Sequence, residues 1–281
     1  MYSEPTYTQL RIKTDLPWYS ANIDKHLIPP TRQLLEHYSG VPPNQQSKHV
    51  HIIRDQAWAV RTYPCTGLGI WLEPWLPRSP AYNEILKRLQ AGETFLDVGC
   101  HLGADMRQLV FDGAPSNKMY GIDIASHWDV GFEMYRDSGR FDAQFIEADF
   151  LSDSNEELLQ LKGQCDIISV SAVLHQWDRQ DQVNAASRLV AFSRPGSLIV
   201  GHQIGNVDGH AVQNKTMKAP QWRHDPASFE QMWDQVGVDT GTRWQTKAKL
   251  LSWEDMGWDA DEMKWMEPGD MVLDFVVRRM Q

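Results

Sequence analysis

The stretch from Phe95 to Gly103, which reads Phe-Leu-Asp-Val-Gly-Cys-His-Leu-Gly, constrains the fold of this chain more than any other segment. A short apolar run ends in an acid and two glycines, Gly99 and Gly103, and a helical pattern begins at Ala104. Glycine lacks a Cβ, so the backbone can turn sharply there and pass close to a ligand. The same pattern fits an ordinary tight turn between a strand and a helix. The order of the elements that follow therefore has to decide between the two interpretations.

From residue 93 onward, short apolar runs alternate with helical patterns. This alternation predicts βαβ units, and hence a parallel sheet with helices on both faces. A late helix, which Asp225 and Pro226 begin, is followed by two more strand-like segments separated by a Trp- and Asp-rich connection. The prediction is a Rossmann-like, doubly wound α/β sheet of about seven strands, one of them an antiparallel edge strand. The predicted strands are 95–98, 118–124, 143–147, 165–170, 197–201, 244–251 and 271–278.

The first 92 residues carry a different pattern. Residues 31–38 and 49–60 have helical periodicity, and Ser79-Pro80 is typical of a helix start, with serine as the cap and proline at the first helical position. Residues 1–92 are therefore predicted to form an N-terminal helical cap. The cap is expected to pack as one unit with a ligand-binding domain over residues 93–281.

Composition excludes several classes of function. The net charge of −10 argues against a nucleic acid partner, because a phosphate-binding surface needs clustered Lys and Arg. No segment approaches the roughly 20 apolar residues that cross a bilayer. Three cysteines without a C-x-x-C pair indicate neither a metal site nor a disulfide framework. We expect a cytoplasmic protein that acts on a hydrophobic small molecule and that could form a homodimer.

Acidic residues recur where predicted strands end, which is where ligands bind in doubly wound sheets. Asp123 ends the second strand and can accept hydrogen bonds from both ribose hydroxyls, and Asp149 and Phe150 follow the third and can hold an adenine. The expected cofactor is S-adenosylmethionine (SAM), with the first-strand contacts at Asp97, Gly99, Cys100 and Gly103.

Each of these residues also has a structural interpretation. Asp123 fits a cap for the following helix, and Asp149 fits a turn acid. A nicotinamide-dependent oxidoreductase is the competing enzyme class. Its G-x-G-x-x-G fingerprint differs from the G-x-x-x-G spacing here, where His101 would crowd a pyrophosphate.

The chain resembles fungal methyltransferases of meroterpenoid and polyketide pathways, of the austinol and andrastin type. The similarity lies in Leu96-Asp-Val-Gly-Cys, Tyr120-Gly-Ile-Asp-Ile and Phe145-Ile-Glu-Ala-Asp, and it extends to Arg54-Asp-Gln-Ala-Trp and Thr240-Gly-Thr-Arg-Trp. The resemblance implies a class I fold, SAM as cofactor, and O-methylation of a secondary metabolite, often at a carboxyl group. It also implies that Asp123-Ile124 and Asp149-Phe150 contact the cofactor.

Catalytic and substrate residues are hypotheses built on that resemblance. His175 and His202, near the ends of the fourth and fifth strands, are expected to orient the acceptor, which is a carboxylate or an acidic enol or phenol. A phenol would make one histidine among His127, His175, His202 and His224 indispensable as a general base. A carboxylate, with a pKa of about 4, would need only positioning. The residues expected to line the apolar substrate pocket are Trp58, Trp71, Trp222 and His224, although tryptophans most often serve packing.

Two further functions fit the same features. A SAM-fold protein can guide a rearrangement or cyclisation without methyl transfer, which would leave the product mass unchanged. A regulatory methyltransferase-like protein would act on protein partners, although the chain has no charged tails or recognition repeats.

Overall fold

The computed structural model describes residues 14–213 and 220–280. The polar start of the chain therefore lies outside the described residues as far as residue 13. Nine strands are found in the described ranges: β1 Phe95–Val98, β2 Met119–Asp123, β3 Gln144–Glu147, β4 Cys165–Val170, β5 Ser193–Asn206, β6 His210–Gln213, β7 Pro220–Arg223, β8 Trp244–Leu251 and β9 Asp270–Arg279.

Seven of these strands form one sheet in the order β3-β2-β1-β4-β5-β9-β8. The first five strands are parallel, and β9 runs antiparallel to both β5 and β8. The strand order reverses between β1 and β4, so this is the switch point at which a doubly wound sheet binds ligands. The predicted fold class is confirmed, but the antiparallel strand β9 lies between β5 and β8 and not at the edge of the sheet, where it was predicted.

Helices cover both faces of this sheet and form the N-terminal region. Their bounds are α1 Pro29–Gln33, α2 Pro43–Val60, α3 Pro64–Leu68, α4 Tyr82–Gln90, α5 Ala104–Phe111, α6 Trp128–Tyr135, α7 Glu156–Gln160, α8 Arg179–Phe192 and α9 Pro226–Thr240. A π-helical turn over Leu34–Tyr38 continues α1 and completes the helix expected at 31–38. One buried cluster joins Ile53 of the N-terminal region to Leu102 and Tyr135 of the sheet domain. The division at residue 92 remains a prediction.

Local signals set some element boundaries and tertiary contacts set others. Asp225 caps α9 with a capping box that includes Ser228, as its sequence predicts. The start predicted for α4 is wrong: the helix begins at Tyr82, and the Ser79 hydroxyl accepts a hydrogen bond from the backbone of Ala81 within the preceding turn (3.3 Å). Strand β5 extends to Asn206, well past the predicted 197–201, because β9 pairs with it along its length.

A buried ion pair lies behind the glycine loop. The Arg107 side chain is fully buried and donates to both carboxylate oxygens of Asp137 (2.9 and 3.3 Å) and to the backbone oxygen of Leu102 (2.9 Å). Its guanidinium carbon lies 4.0–5.4 Å from four aromatic ring centroids, those of Trp128, Phe132, Tyr135 and Phe141. This one side chain therefore joins the loop to α6 and to the segment that follows it.

We expect Asp137→Ala to lower the free energy of unfolding by about 3–5 kcal/mol, because it leaves a guanidinium buried without a counter-charge. Chemical denaturation followed by tryptophan fluorescence measures this change. The matched control is Asp261→Asn, which breaks a pair with Lys264 whose side chains are both largely exposed. No measurable change is expected there. Equal effects of the two variants would contradict the prediction.

Candidate active site

A cavity of about 250 Å³ lies at the carboxyl ends of β1 to β5. Its lining comes from three parts of the chain: the N-terminal region, the loops that follow the parallel strands, and the connection between β8 and β9. Side chains from these loops lie around the switch point, as the topology requires. The lining residues include Trp18, Gly99, His101, Asp123, Ile124, Asp149, Phe150, Ser171, Val173, His175, His202, Gln203, Arg223, Trp253, Trp258, Met263, Trp265 and Met266.

The glycine loop lies on one wall of this cavity. Gly99 has φ +77°, and a Cβ at this position would be 2.3 Å from Cγ2 of Val173. Gly103 has φ +67°, and its Cβ would be 2.5 Å from Nη1 of Arg107. Both glycines are therefore required by backbone conformation and by space. Two residues of the loop, the buried Cys100 and Gly103, do not line the cavity.

His101 occupies the middle of the loop in the left-handed region, at φ +50°. This conformation is unfavourable for a residue with a Cβ, so surrounding contacts must hold it. Its Nε2 lies 3.0 Å from the hydroxyl of Thr66 on α3, and its ring centroid lies 4.4 Å from that of His127. Burial lowers the pKa of His101 well below its usual value, so the ring stays neutral. The side chain therefore ties the N-terminal region to the loop.

Asp123 lies next to the glycine loop and lines the cavity. Its carboxylate accepts from the backbone of His101 (2.9 Å) and of Ala125 (3.2 Å). It does not cap the next helix, because α6 begins at Trp128 and its N-cap residue is His127. The carboxylate is 7% exposed, and burial raises its pKa. Ile124 lines the cavity beside it.

Asp97 lies deeper than Asp123 and does not line the cavity. It pairs in register with Ser169 of β4 and is 6% exposed. Burial raises its pKa to about 8, with a further contribution from the charges of Asp105 and Asp123. The three carboxylates predicted at the ends of strands therefore differ in position. Asp97 is buried, whereas Asp123 and Asp149 line the cavity.

Asp149 and Phe150 line the cavity next to Asp123. The Asp149 carboxylate accepts from the backbone of Leu151 (2.9 Å), as a turn acid does. Phe150 is 7% exposed and lies 5.5 Å from Phe192, measured between ring centroids. The turn interpretation of Asp149 and a ligand role are compatible, because the residue both stabilises the turn and faces the cavity.

His175 and His202 line the other end of the cavity. The Nδ1 atom of each ring is buried and has no partner among the described residues. Burial lowers the pKa of His202 to about 3 and that of His175 well below its usual value, with nearby Arg78 and Arg223 adding to the respective shifts. Both rings are therefore neutral at neutral pH.

The substrate residues expected from sequence are placed away from the cavity lining. Trp58 packs on Gly67, and the Trp71 ring lies 6.3 Å from that of His101. The backbone of Trp222 donates to the Trp177 carbonyl (3.0 Å), and His224 Nδ1 lies 2.9 Å from the Ser228 hydroxyl.

Sequence reasoning missed the aromatic wall of this cavity. Its members are Trp253, Trp258, Met263, Trp265 and Met266 in the connection between β8 and β9, together with Trp18. The density of Trp and Met between two predicted strands was the available signal. The sequence pattern alone does not show that this connection lies over the ends of the strands.

Comparison with known proteins agrees with this architecture. The 1,6-didemethyltoxoflavin-N1-methyltransferase of Burkholderia thailandensis superposes with a TM-score of 0.52 at 12% identity, over 83% of this chain and 90% of that one. The [4+2]-cyclase SpnF superposes with a TM-score of 0.50 at 12% identity, over 69% and 79%. The fold is that of the class I SAM-dependent methyltransferases.

Sequence relatives define the family more closely. Residues 18–72 match the meroterpenoid methyltransferase N-terminal domain. The chain is 35% identical to the O-methyltransferase phiE of a fungal species, over 85% of this chain and 81% of phiE. It is 37% identical to the O-methyltransferase atr3 of Stereocaulon alpinum, over 94% and 76%. It is 35% identical to the asnovolin E/chermesin D methyltransferase nvfJ of Aspergillus novofumigatus, over 81% and 85%.

The chain belongs to this family of fungal O-methyltransferases. It is therefore an enzyme and a SAM-dependent methyltransferase, which sets aside the nicotinamide alternative. Among the helices of residues 14–213 and 220–280, none is long and apolar enough to cross a membrane.

We expect Gly99→Ala to weaken binding of S-adenosylhomocysteine at least about tenfold, because the added methyl group collides with Val173 and strains the loop. Isothermal titration calorimetry measures the affinity. Gly241→Ala is the control: this glycine also has positive φ (+65°), but a Cβ there meets nothing within 4 Å. The control should lose stability and keep its affinity. Unchanged affinity in Gly99→Ala would contradict the role of the loop.

Proposed function

We propose that the enzyme O-methylates a carboxylate, or an acidic enol or phenol, on a meroterpenoid or polyketide secondary metabolite. The observation that carries this proposal is the division of one cavity into two ends. The strand order places the glycine loop and two carboxylates after β1 to β3, and two neutral histidines after β4 and on β5. Tryptophan and methionine side chains of the connection between β8 and β9 also line the cavity. The comparisons support a meroterpenoid substrate, because residues 18–72 match the meroterpenoid methyltransferase N-terminal domain, and the relative nvfJ is named as a methyltransferase of asnovolin E and chermesin D.

The cofactor end fits an adenosine with a charged sulfur. Gly99 lines the cavity and has no side chain, so a ligand can approach its backbone closely. In our proposal the Asp123 carboxylate accepts from the ribose hydroxyls, while Asp149 and Phe150 hold the adenine. Asp97, Cys100 and Gly103 would support the loop from behind, and Ile124 would pack against the nucleoside. When bound, SAM supplies a methyl group on a positively charged sulfur.

The acceptor end holds a substrate oxygen in line with that methyl group. Positioning two reactants in this way supplies much of the rate acceleration of a displacement reaction. His175 and His202 remain neutral, so each can form a hydrogen bond to the acceptor through its Nε2 atom, the ring nitrogen that is not enclosed. A group whose pKa is as low as about 3 is a weak base. These histidines are therefore suited to orient a carboxylate, which is already ionised at neutral pH, and poorly suited to deprotonate a phenol.

We expect Asp123→Ala to weaken SAM binding by about 10–100-fold, since it removes the acceptor for the ribose hydroxyls. Calorimetry with S-adenosylhomocysteine measures this directly. Asp112→Ala is the control, because that residue bonds to Tyr82 and Gln108 outside the cavity. The same loss of affinity in both variants would show a general loss of structure and would contradict the ribose role.

We expect His175→Gln and His202→Gln each to lower kcat/KM by less than about 100-fold, because loss of a general base has larger effects, of about 10²–10⁴-fold. The kcat/KM profile should have no limb near pH 6.5. The sign follows from the lowered pKa values: the folded rings gain a proton only well below the pH at which an exposed histidine does. A loss of 10⁴-fold with a limb near pH 6.5 would show a histidine base and a phenol acceptor.

Product mass separates methyl transfer from a rearrangement. Incubation with labelled SAM and a panel of meroterpenoid acids and aromatic polyketides should give a product heavier by one methylene, together with S-adenosylhomocysteine. In this reaction a new O–C bond forms, the S–C bond breaks, and its electron pair remains on sulfur. A converted substrate with no change in mass would overturn the proposal in favour of a SAM-fold cyclase or isomerase.

A further inference from the structure

The cavity is small for the reaction that takes place in it. Its volume is about 250 Å³. Pockets that hold one small-molecule ligand have volumes of about 300–1,000 Å³. Methyl transfer needs two molecules side by side, SAM and the acceptor, because the methyl group passes directly from one to the other. Part of the cavity wall must therefore move outward when both molecules are bound.

Most of that wall is held in place. The ends of β1 to β5 are fixed by strand pairing, and the glycine loop is fixed by the buried ion pair behind it. The wall at Trp18 is bonded to the segments of the N-terminal region behind it. The Trp18 indole donates to the Thr62 carbonyl (3.2 Å), and the Ser20 backbone donates to the Gly67 carbonyl (3.0 Å).

The connection between β8 and β9 is attached by fewer bonds. Residues 253–267 form turns without a helix or strand. Two polar contacts join them to distant parts of the described chain: the ion pair of Lys25 with Glu262 and the hydrogen bond from Arg78 to the Met256 carbonyl (2.9 Å). The side chains of the ion pair are 36% and 26% exposed, and a pair with that exposure contributes little to stability.

Both ends of this connection are fixed to the sheet. Leu251, the last residue of β8, pairs with Val272 of β9. The side chain of Asn206, at the end of β5, donates to the Pro268 carbonyl (3.0 Å). The segment between these points can move while its ends stay attached, as the lid of an enzyme does.

The inner surface of the connection is apolar. Trp253, Trp265 and Met266 line the cavity and are only half-buried, so part of each side chain is accessible. Trp258 and Met263 also line the cavity and pack in one apolar cluster with the N-terminal region. Outward movement exposes this surface to water, and an apolar ligand covers it again. Methionine suits such a surface, because its flexible side chain packs against differently shaped neighbours.

We propose that residues 253–267 form a lid that opens to admit the acceptor and then closes on its apolar part. The ion pair of Lys25 with Glu262 is the latch between the lid and the N-terminal region. The lid thus adds the space that the second molecule needs. The inference rests on the proposed function, because it assumes that the acceptor is an apolar molecule with an acidic group.

A cross-link across the latch tests the lid. Lys25→Cys and Glu262→Cys are combined and joined with bismaleimidoethane after the enzyme has been saturated with S-adenosylhomocysteine. Cys65→Ser is included in every protein, because the Cys65 thiol lines the cavity and would compete for the reagent. The probe is dodecanoic acid, which joins a carboxylate to an apolar chain, and calorimetry measures its binding. We expect binding at least about tenfold weaker after cross-linking, since apparent affinity falls with the fraction of enzyme that can open.

Asp261→Cys combined with Lys264→Cys is the matched control. These two residues form an exposed ion pair inside the lid, so the same reagent modifies the lid without tying it to the N-terminal region. Cross-linking should leave the affinity for dodecanoic acid unchanged in this protein. Equal losses in the two proteins, or no loss at the latch, would overturn the inference. So would an enzyme that fails to bind dodecanoic acid before cross-linking.

The failure of the proposed function would look different. An enzyme that binds dodecanoic acid under control of the lid, but methylates no member of the panel of meroterpenoid acids and aromatic polyketides, would contradict the proposed function. The lid itself would then stand.

Hydrogen exchange tests the latch without added cysteines. Glu262→Gln removes the charge of the latch, and Asp261→Asn makes the same change at the neighbouring residue without touching Lys25. Mass spectrometry follows the backbone amides of residues 253–267. We expect them to exchange about two- to fivefold faster in Glu262→Gln, the effect of losing a partly exposed ion pair, and at the wild-type rate in Asp261→Asn. The same rate in all three proteins would contradict the latch.

Discussion

The buried pair of Arg107 and Asp137 is the interaction on which the cofactor end depends. Arg107 lies on α5, the helix after β1. Its side chain donates a hydrogen bond to the carbonyl of Leu102 in the glycine loop and is surrounded by aromatic rings. The Arg107 side chain passes close to Gly103 and Gly131. A Cβ at either position would lie 3.3 Å or less from Nη1 of Arg107, so both positions require glycine. The loop conformation is therefore fixed by a buried charge that cannot move without losing its partner. His101 is part of that loop, and its backbone donates a hydrogen bond to Asp123 at the end of β2 (2.9 Å).

The wall of the acceptor end is formed by segments that are far apart in sequence and contact one another. Lys25 forms an ion pair with Glu262, Arg78 donates to the carbonyl of Met256 (2.9 Å), and the rings of Trp18 and Trp265 lie 5.5 Å apart. Each contact joins the N-terminal region to the connection between β8 and β9. Both segments line the cavity. The apolar part of the cavity is thus made jointly by the first and last parts of the described chain. Its polar floor, formed by Ser171, His175 and His202, comes from the loop after β4 and from β5.

The chemistry at that floor follows from burial. Low polarity keeps histidines neutral and makes hydrogen bonds to unpaired donors and acceptors stronger than they are in water. Such a site is suited to holding an acceptor oxygen in place, and it is poorly suited to removing a tightly held proton. Positioning is also the main requirement of an in-line displacement when the acceptor is already ionised.

Features that depend on neighbouring residues could be predicted from the amino-acid sequence. Hydrophobic periodicity located the strands of the sheet, Gly99 and Gly103 marked the loop, and Asp225 with Pro226 marked the start of α9. Asp123 and Asp149 were found because residues at the ends of parallel strands must lie at one edge of the sheet. Each of these signals is local, or follows from topology alone.

Which side chains line the cavity depends on how distant segments pack together, and this could not be predicted from the sequence. Composition does not distinguish two groups of tryptophans. One group packs away from the cavity and consists of Trp58, Trp71 and Trp222. The other group lines the cavity and consists of Trp253, Trp258 and Trp265. Strand β5 continues past its expected end, because it pairs with β9, whose residues are about 70 positions away in sequence. Periodicity reports which face of an element is apolar. It does not report which distant segment covers that face, because that choice is made by packing across the whole fold.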